Sequence, residues 1–113
     1  ISVASSDSPP LTGVYVDKAY TDFLEQEFIK TVECTAIEGD FWEVAVFLYP
    51  APHFECTAPN NQGKLCYAEF RTPNKVLLAK SSSWKHEVIH YLLYKNTGDL
   101  DPDHHSDLFV KCV

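Results

Sequence analysis

Two histidines four residues apart, His86 and His90, bracket Glu87-Val88-Ile89 inside an apolar-periodic run from Trp84 to Tyr94. On an α-helix, residues i and i+4 share a face. The spacing therefore predicts a helix that aims two imidazoles at one place, with Glu87 one step round. Trp84, Val88, Ile89, Leu92 and Leu93 make an apolar stripe, and the histidines fall beside it. The fold must then bury one side of this helix and leave a cleft along its flank. The pattern H-E-x-x-H suits zinc, which takes imidazole nitrogen and lowers the pKa of a bound water, whose proton a neighbouring carboxylate can accept.

A catalytic zinc needs a third protein ligand and an open fourth position. Asn96, Thr97 and Gly98 read as the helix end, with Gly98 as its C′ residue. No Glu follows Glu87, so a downstream glutamate ligand is excluded. The loop Asp99-Leu100-Asp101-Pro102-Asp103-His104-His105-Ser106 offers three aspartates and two histidines. Imidazole is the commoner partner beside two histidines. His104 is favoured, with His105 the alternative third ligand.

The segment from His86 to Cys112 resembles the active-site helix and ligand loop of zincin metallopeptidases. It is similar to small bacterial secreted or lipoprotein zincins, in which the helix is followed by D-P-x-H-x-S. Here that element reads Asp101-Pro102-Asp103-His104-His105-Ser106, and its histidine matches His104. Metzincins do not fit: position 93 is Leu, position 96 is Asn, and the chain has no Met for a methionine turn. The aspartate-ligand group does not fit Gly98-Asp99-Leu100-Asp101 either. The resemblance covers about a quarter of the chain. It implies a zinc peptidase acting on a peptide or protein, with a cleft-bordering strand that pairs with extended substrate. That strand would be Leu65 to Arg71 or Lys75 to Lys80.

A chain of 113 residues allows one domain with a modest core. Its 45% hydrophobic content places it among globular chains. A net charge of −7 argues against nucleic acid, whose phosphates need a basic patch. No apolar run is long enough for a membrane span. The chain begins at Ile1 and lacks Met, which leads to the expectation of a removed signal or lipoprotein leader, with a lipid anchor possible upstream.

Cys34, Cys56, Cys66 and Cys112 contain no C-x-x-C spacing, so a zinc knuckle or thioredoxin-type site is not expected. Four cysteines in a short chain suggest two disulfides and an oxidising compartment, secreted or in the cell envelope. Of three possible pairings, Cys56–Cys66 with Cys34–Cys112 is favoured. The first staples a hairpin. The second ties the tail, and with it the ligand loop, to the first helix.

Residues 1–13, with Pro9-Pro10 and Gly13, read as a flexible lead-in to a single domain spanning 14–113. Residues 15–33 carry a helical pattern in Val16, Ala19, Tyr20, Phe23, Leu24, Phe28 and Val32, with Asp17 at its start. The other face (Asp22, Glu25, Gln26, Lys30) reads as solvated. Phe41 to Tyr49 is the strongest strand, ended by Pro50-Ala51-Pro52. His53 follows on a loop and stays outside the site. Leu65–Arg71 and Lys75–Lys80 read as strands, and Ser81-Ser82-Ser83 offers N-capping hydroxyls. Leu108 and Phe109 are expected to fold the tail onto the core.

The expected fold is α+β: a minimal zincin-like domain of one backing helix, a small largely antiparallel sheet and the H-E-x-x-H helix, stapled by disulfides and monomeric. The expected function is zinc-dependent peptide hydrolysis, with His86, His90 and His104 holding zinc and Glu87 as general base. Tyr91, Tyr94 and His105 are candidate oxyanion donors, and Asp99 or Asp101 candidate orienters of a histidine. The alternative is a secreted, disulfide-stapled binding module with a non-catalytic zinc site.

Overall fold

In the computed structural model, residues 2–3 and 18–113 are described. The first helix, α1, spans Lys18–Thr35 and buries Thr21, Leu24, Phe28 and Thr31. The buried stripe keeps helical spacing but lies slightly round from the apolar pattern. Phe23, expected inside, is 43% exposed. Two threonines take part because a helix can satisfy them: the Thr31 hydroxyl donates to the Glu27 carbonyl at 2.8 Å. Val16 and Asp17 of the expected helix lie outside the described residues, as does most of the 1–13 lead-in.

The strand expected from Phe41 does not start there. Phe41–Glu43 is a 3-10 turn, because the Asp40 carboxylate accepts the Trp42 N–H at 3.0 Å and winds the chain. Phe41 then plugs the core. The strand proper, β2, is Ala45–Leu48. Ser2–Val3 form β1 and pair parallel to it.

The reading of Leu65–Arg71 as one strand is also corrected. It divides at Tyr67 into β4, Leu65–Cys66, and β5, Ala68–Arg71. The Tyr67 carbonyl accepts the N–H groups of Ala79 and Lys80 at 2.9 and 3.0 Å, which turns the chain from one sheet into the other. The hairpin of β4 with β3, Phe54–Glu55, is antiparallel and forms a sheet of its own. The main sheet has the order β1-β2-β6-β5, where β6 is Lys75–Leu78. Antiparallel pairing, expected for most of the sheet, holds for β5–β6 and β3–β4, whereas β1–β2 and β2–β6 run parallel. The chain crosses over from β2 to β6 through residues 49–74, and a crossover delivers parallel strands.

The second helix, α2, spans Trp84–Thr97. It packs with α1 on one face of the main sheet. Between them lies the larger core, including Leu24, Phe28, Val46, Val76, Trp84, Val88 and Leu92. The Trp84 indole N–H donates to the Leu24 carbonyl at 3.0 Å, joining the start of α2 to α1. Gly39 lies against α2 so closely that a Cβ there would stand 2.5 Å from Leu92 Cδ2. The other sheet face carries a smaller cluster of Phe47, Phe54 and Leu77, covered by the β3–β4 hairpin.

Ser81–Ser83 form a 3-10 turn ahead of α2, and no serine hydroxyl caps the helix. At its other end Gly98 adopts φ 78° and donates its N–H to the Tyr94 carbonyl at 2.8 Å. A short helix, α3, Leu108–Lys111, closes the chain.

Disulfides join Cys34 to Cys112 and Cys56 to Cys66. Both fit an oxidising, non-cytoplasmic compartment. Among the described residues no helix is long and apolar enough to cross a membrane.

Candidate metal centre

His86 and His90 project from the flank of α2 beside its core stripe. His104 approaches from the loop beyond Gly98. Its Nε2 lies 3.0 Å from His86 Nε2 and 3.1 Å from His90 Nε2. The loop achieves this through two non-glycine residues in the left-handed region, Asp101 at φ 59° and His104 at φ 57°. Such residues persist where their surroundings hold them. Here the Asp101 carboxylate accepts the N–H groups of His105 and Ser106, at 2.9 and 2.7 Å. Those bonds hold the Asp101 carboxyl below its ordinary pKa. Asp99 in turn accepts the Asp101 N–H at 2.8 Å. The aspartates thus shape the loop, and the expectation that one of them orients a histidine gives way to a backbone group. His90 Nδ1 lies 2.6 Å from the Leu100 carbonyl oxygen. A carbonyl only accepts, so Nδ1 carries the proton and Nε2 presents its lone pair toward His104.

The donor set fits a zinc-like cation. Tetrahedral zinc with Zn–N of 2.0–2.1 Å separates its nitrogen ligands by roughly 3.3 Å. The observed contacts are close to that. With neutral rings, one Nε2 proton can bridge only one of the two contacts, so the nitrogens of the other meet with no hydrogen bond between them and repel. A cation at the convergence relieves that repulsion. Burial, with His90 and His104 beside it, pushes His86 down to about 4, and burial also lowers His90 against the Leu100 bond. Both rings are therefore neutral at ordinary pH, the form that binds metal.

Glu87 is 6% exposed. Burial, then the nearby Glu69 carboxylate, raise its pKa to about 8, opposed by a hydrogen bond from the Phe70 backbone. Glu87 lines a cleft of about 520 Å³ together with all three histidines. Ala68–Phe70 of β5 form one wall, Leu100 and Pro102–His104 another, and Asn61 and Lys64 close one end.

Several expected participants lie elsewhere. His105 is exposed and not among the converging imidazoles. Tyr91 is fully buried, its hydroxyl 3.3 Å from both the N–H and the carbonyl oxygen of Asp40, and so faces away from the cleft. The Tyr94 ring packs on Phe70, with centroids 6.2 Å apart. His53, by contrast, is expected outside the site, and it is exposed and forms no part of the cleft walls.

Two residues of the site carry no signal in the sequence. Glu69 is buried in the cleft wall, where its carboxylate accepts the N–H groups of Thr57 and Ala58 at 3.2 and 3.1 Å and the Thr57 hydroxyl. Arg71 also donates to the Thr57 hydroxyl. This ties β5 to the loop held by Cys56–Cys66. The two sulfurs also lie near Glu69, but as a disulfide they offer no thiolate to a metal. Phe109 is the second: its ring packs against all three imidazoles rather than the sheet core, with centroids 4.6 to 4.9 Å away.

Compared with known proteins, the chain matches no family model, no curated protein and no solved structure.

Proposed function

We propose that this protein is a zinc-dependent peptidase of zincin type, exported to the cell envelope or beyond. The observation that carries the reading is the convergence of His86, His90 and His104 Nε2 within 3.0–3.1 Å contacts, beside a buried carboxylate in the same cleft. A metal site alone would not call for Glu87. Burying an acid costs free energy, and groups perturbed in this way cluster at functional sites. His86, His90 and His104 would hold the ion, which supplies a Lewis acid for the scissile carbonyl and lowers the pKa of a water. Glu87 would take the proton from the attacking water and return it to the leaving amine as the C–N bond breaks. Its pKa near 8 in the metal-free protein suits a group that must both accept and give up a proton.

The sheet order supports an extended substrate. β6 is paired on both sides, whereas among the described residues β5 has a partner strand on one edge alone, and Ala68–Phe70 on β5 line the cleft. An extended peptide can add to such an edge through backbone hydrogen bonds. Of the two strands that the sequence leaves open for this role, β5 is the one available.

The test is elemental analysis of the protein purified without chelators, followed by hydrolysis of a mixed peptide library. About one zinc per chain is expected, lost in His104→Ala and kept in Glu87→Gln. Library cleavage is expected in the wild type and not in Glu87→Gln. Zinc bound with no Glu87-dependent cleavage would instead make the domain a binding module. A wild-type chain that takes up no supplied zinc would remove the reading altogether.

A further inference from the structure

The placement of Phe109 calls for an explanation that ligation and proton transfer do not provide. The three imidazole centroids lie 5.0, 4.8 and 4.9 Å from one another. The Phe109 centroid lies 4.9, 4.6 and 4.8 Å from them. Six nearly equal separations put four rings at the corners of a near-regular tetrahedron. A triangle of imidazoles has two faces, and the phenyl ring covers one. Glu87 and the three histidines all border the cleft, and Phe109 does not, so the cleft opens on the other face.

Resting on the metal reading of this site, we propose that Phe109 is a positioning residue that closes the back of the histidine triangle. A cation held there can then take its fourth partner only from the cleft side, where Glu87 stands. A phenyl ring offers no lone pair to a metal and excludes water from the face it covers. It also gives His104, an exposed loop residue, a fixed surface to rest on.

What holds Phe109 in place is the tail disulfide. α3 is four residues long. A helix of that length does not persist alone. Cys112 follows it directly, is buried, and bonds to Cys34 in α1. Lys111–Asp107 pairing at 2.8 Å lies on the solvent side and adds little. The covalent tie to α1 is therefore what presses α3, and with it the phenyl ring, against the metal helix.

Cobalt(II) is the probe, because its visible bands are stronger in four-coordinate than in five- or six-coordinate sites. Three chains are compared: wild type, Phe109→Ala and Phe109→Leu. The readouts are the cobalt spectrum and the rate at which a chelator removes the metal, with melting of the metal-free proteins as a control for folding. Phe109→Ala is expected to release cobalt roughly ten- to a hundredfold faster, the range for groups that orient metal ligands, and to show weaker bands. Phe109→Leu, which keeps an apolar plug, is expected to stay near wild type in both. Unchanged release and spectrum in a folded Phe109→Ala overturn the proposal. Should that variant fail to fold, the Cys34→Ser/Cys112→Ser chain, which frees α3 while retaining the ring, is read in its place. Unchanged release there overturns it as well. A wild-type chain that binds neither cobalt nor zinc overturns the metal reading beneath it, a failure that needs no variant to detect.

Discussion

At the scale of single residues, Glu87 carries the clearest conflict between stability and use. Its carboxyl is raised from an ordinary value of 4.5 to about 8, chiefly by burial and then by Glu69. A pKa higher in the folded than in the unfolded state means that folding retains a proton. The stability this gives is full below pH 4.5 and is lost as pH rises toward 8. Replacing the acid by Gln removes that loss. Metal-free Glu87→Gln should thus be more stable than wild type at pH 7, by an upper figure on the order of 3 kcal/mol. The two should converge near pH 4.5. Paired urea titrations across pH check this, and the difference between variants cancels the opposite slope that His86 contributes below pH 6.5. A gap independent of pH would mean that Glu87 is not the buried titrating group. His86, Glu87 and His90 are legible in the sequence because helical periodicity turns a spacing into a shared face. Glu69, the Leu100 carbonyl and Phe109 are not, because they come from a strand, a loop backbone and a tail that meet only in three dimensions.

At the scale of elements, the same contrast separates what periodicity reveals from what capping and bends decide. α2 and β6 follow their apolar spacing, and α1 keeps the helical period with its buried stripe displaced toward Thr21 and Thr31. The Phe41 strand fails at its start because one carboxylate, Asp40, winds Phe41, Trp42 and Glu43 into a turn. The Leu65–Arg71 strand fails at Tyr67 because its carbonyl is taken by Ala79 and Lys80. Neither event leaves a mark in hydropathy. The contact of α2 with the segment after α1 is equally hidden, and it rests on Gly39. An added Cβ would meet Leu92 Cδ2 at 2.5 Å, Tyr91 Cε2 at 3.0 Å and Phe28 Cζ at 3.3 Å. All three side chains are buried and have little room to move. Gly39→Ala should destabilise by about 1–3 kcal/mol, as overpacking does. Thermal melts would register this as a drop of several degrees. Since the clash bears on the same helix as His86 and His90, metal affinity should fall with it.

At the scale of the whole molecule, the two disulfides divide the labour. Cys56–Cys66 closes a separation of 10 residues and Cys34–Cys112 one of 78. In the chain-entropy account, loops of these lengths contribute about 3 and about 4.5 kcal/mol. For a single domain of this size, whose total stability is on the order of 5–15 kcal/mol, the longer link is a large share. It also joins α1, which backs the sheet, to the tail whose Phe109 ring rests on the three imidazoles. The shorter link stiffens the loop that Glu69 holds against β5, on the wall of the cleft. The two Ser replacements should therefore fail differently. Cys34→Ser/Cys112→Ser should lose more stability and regain part of it when zinc is added, because a ligand that binds only the folded state stabilises by mass action. Cys56→Ser/Cys66→Ser should lose less, keep its zinc, and show its defect as weaker binding of peptide along β5. Denaturant titrations with and without zinc, alongside peptide binding, distinguish the two. Equal losses with equal zinc response would show that neither link is coupled to the histidine cluster.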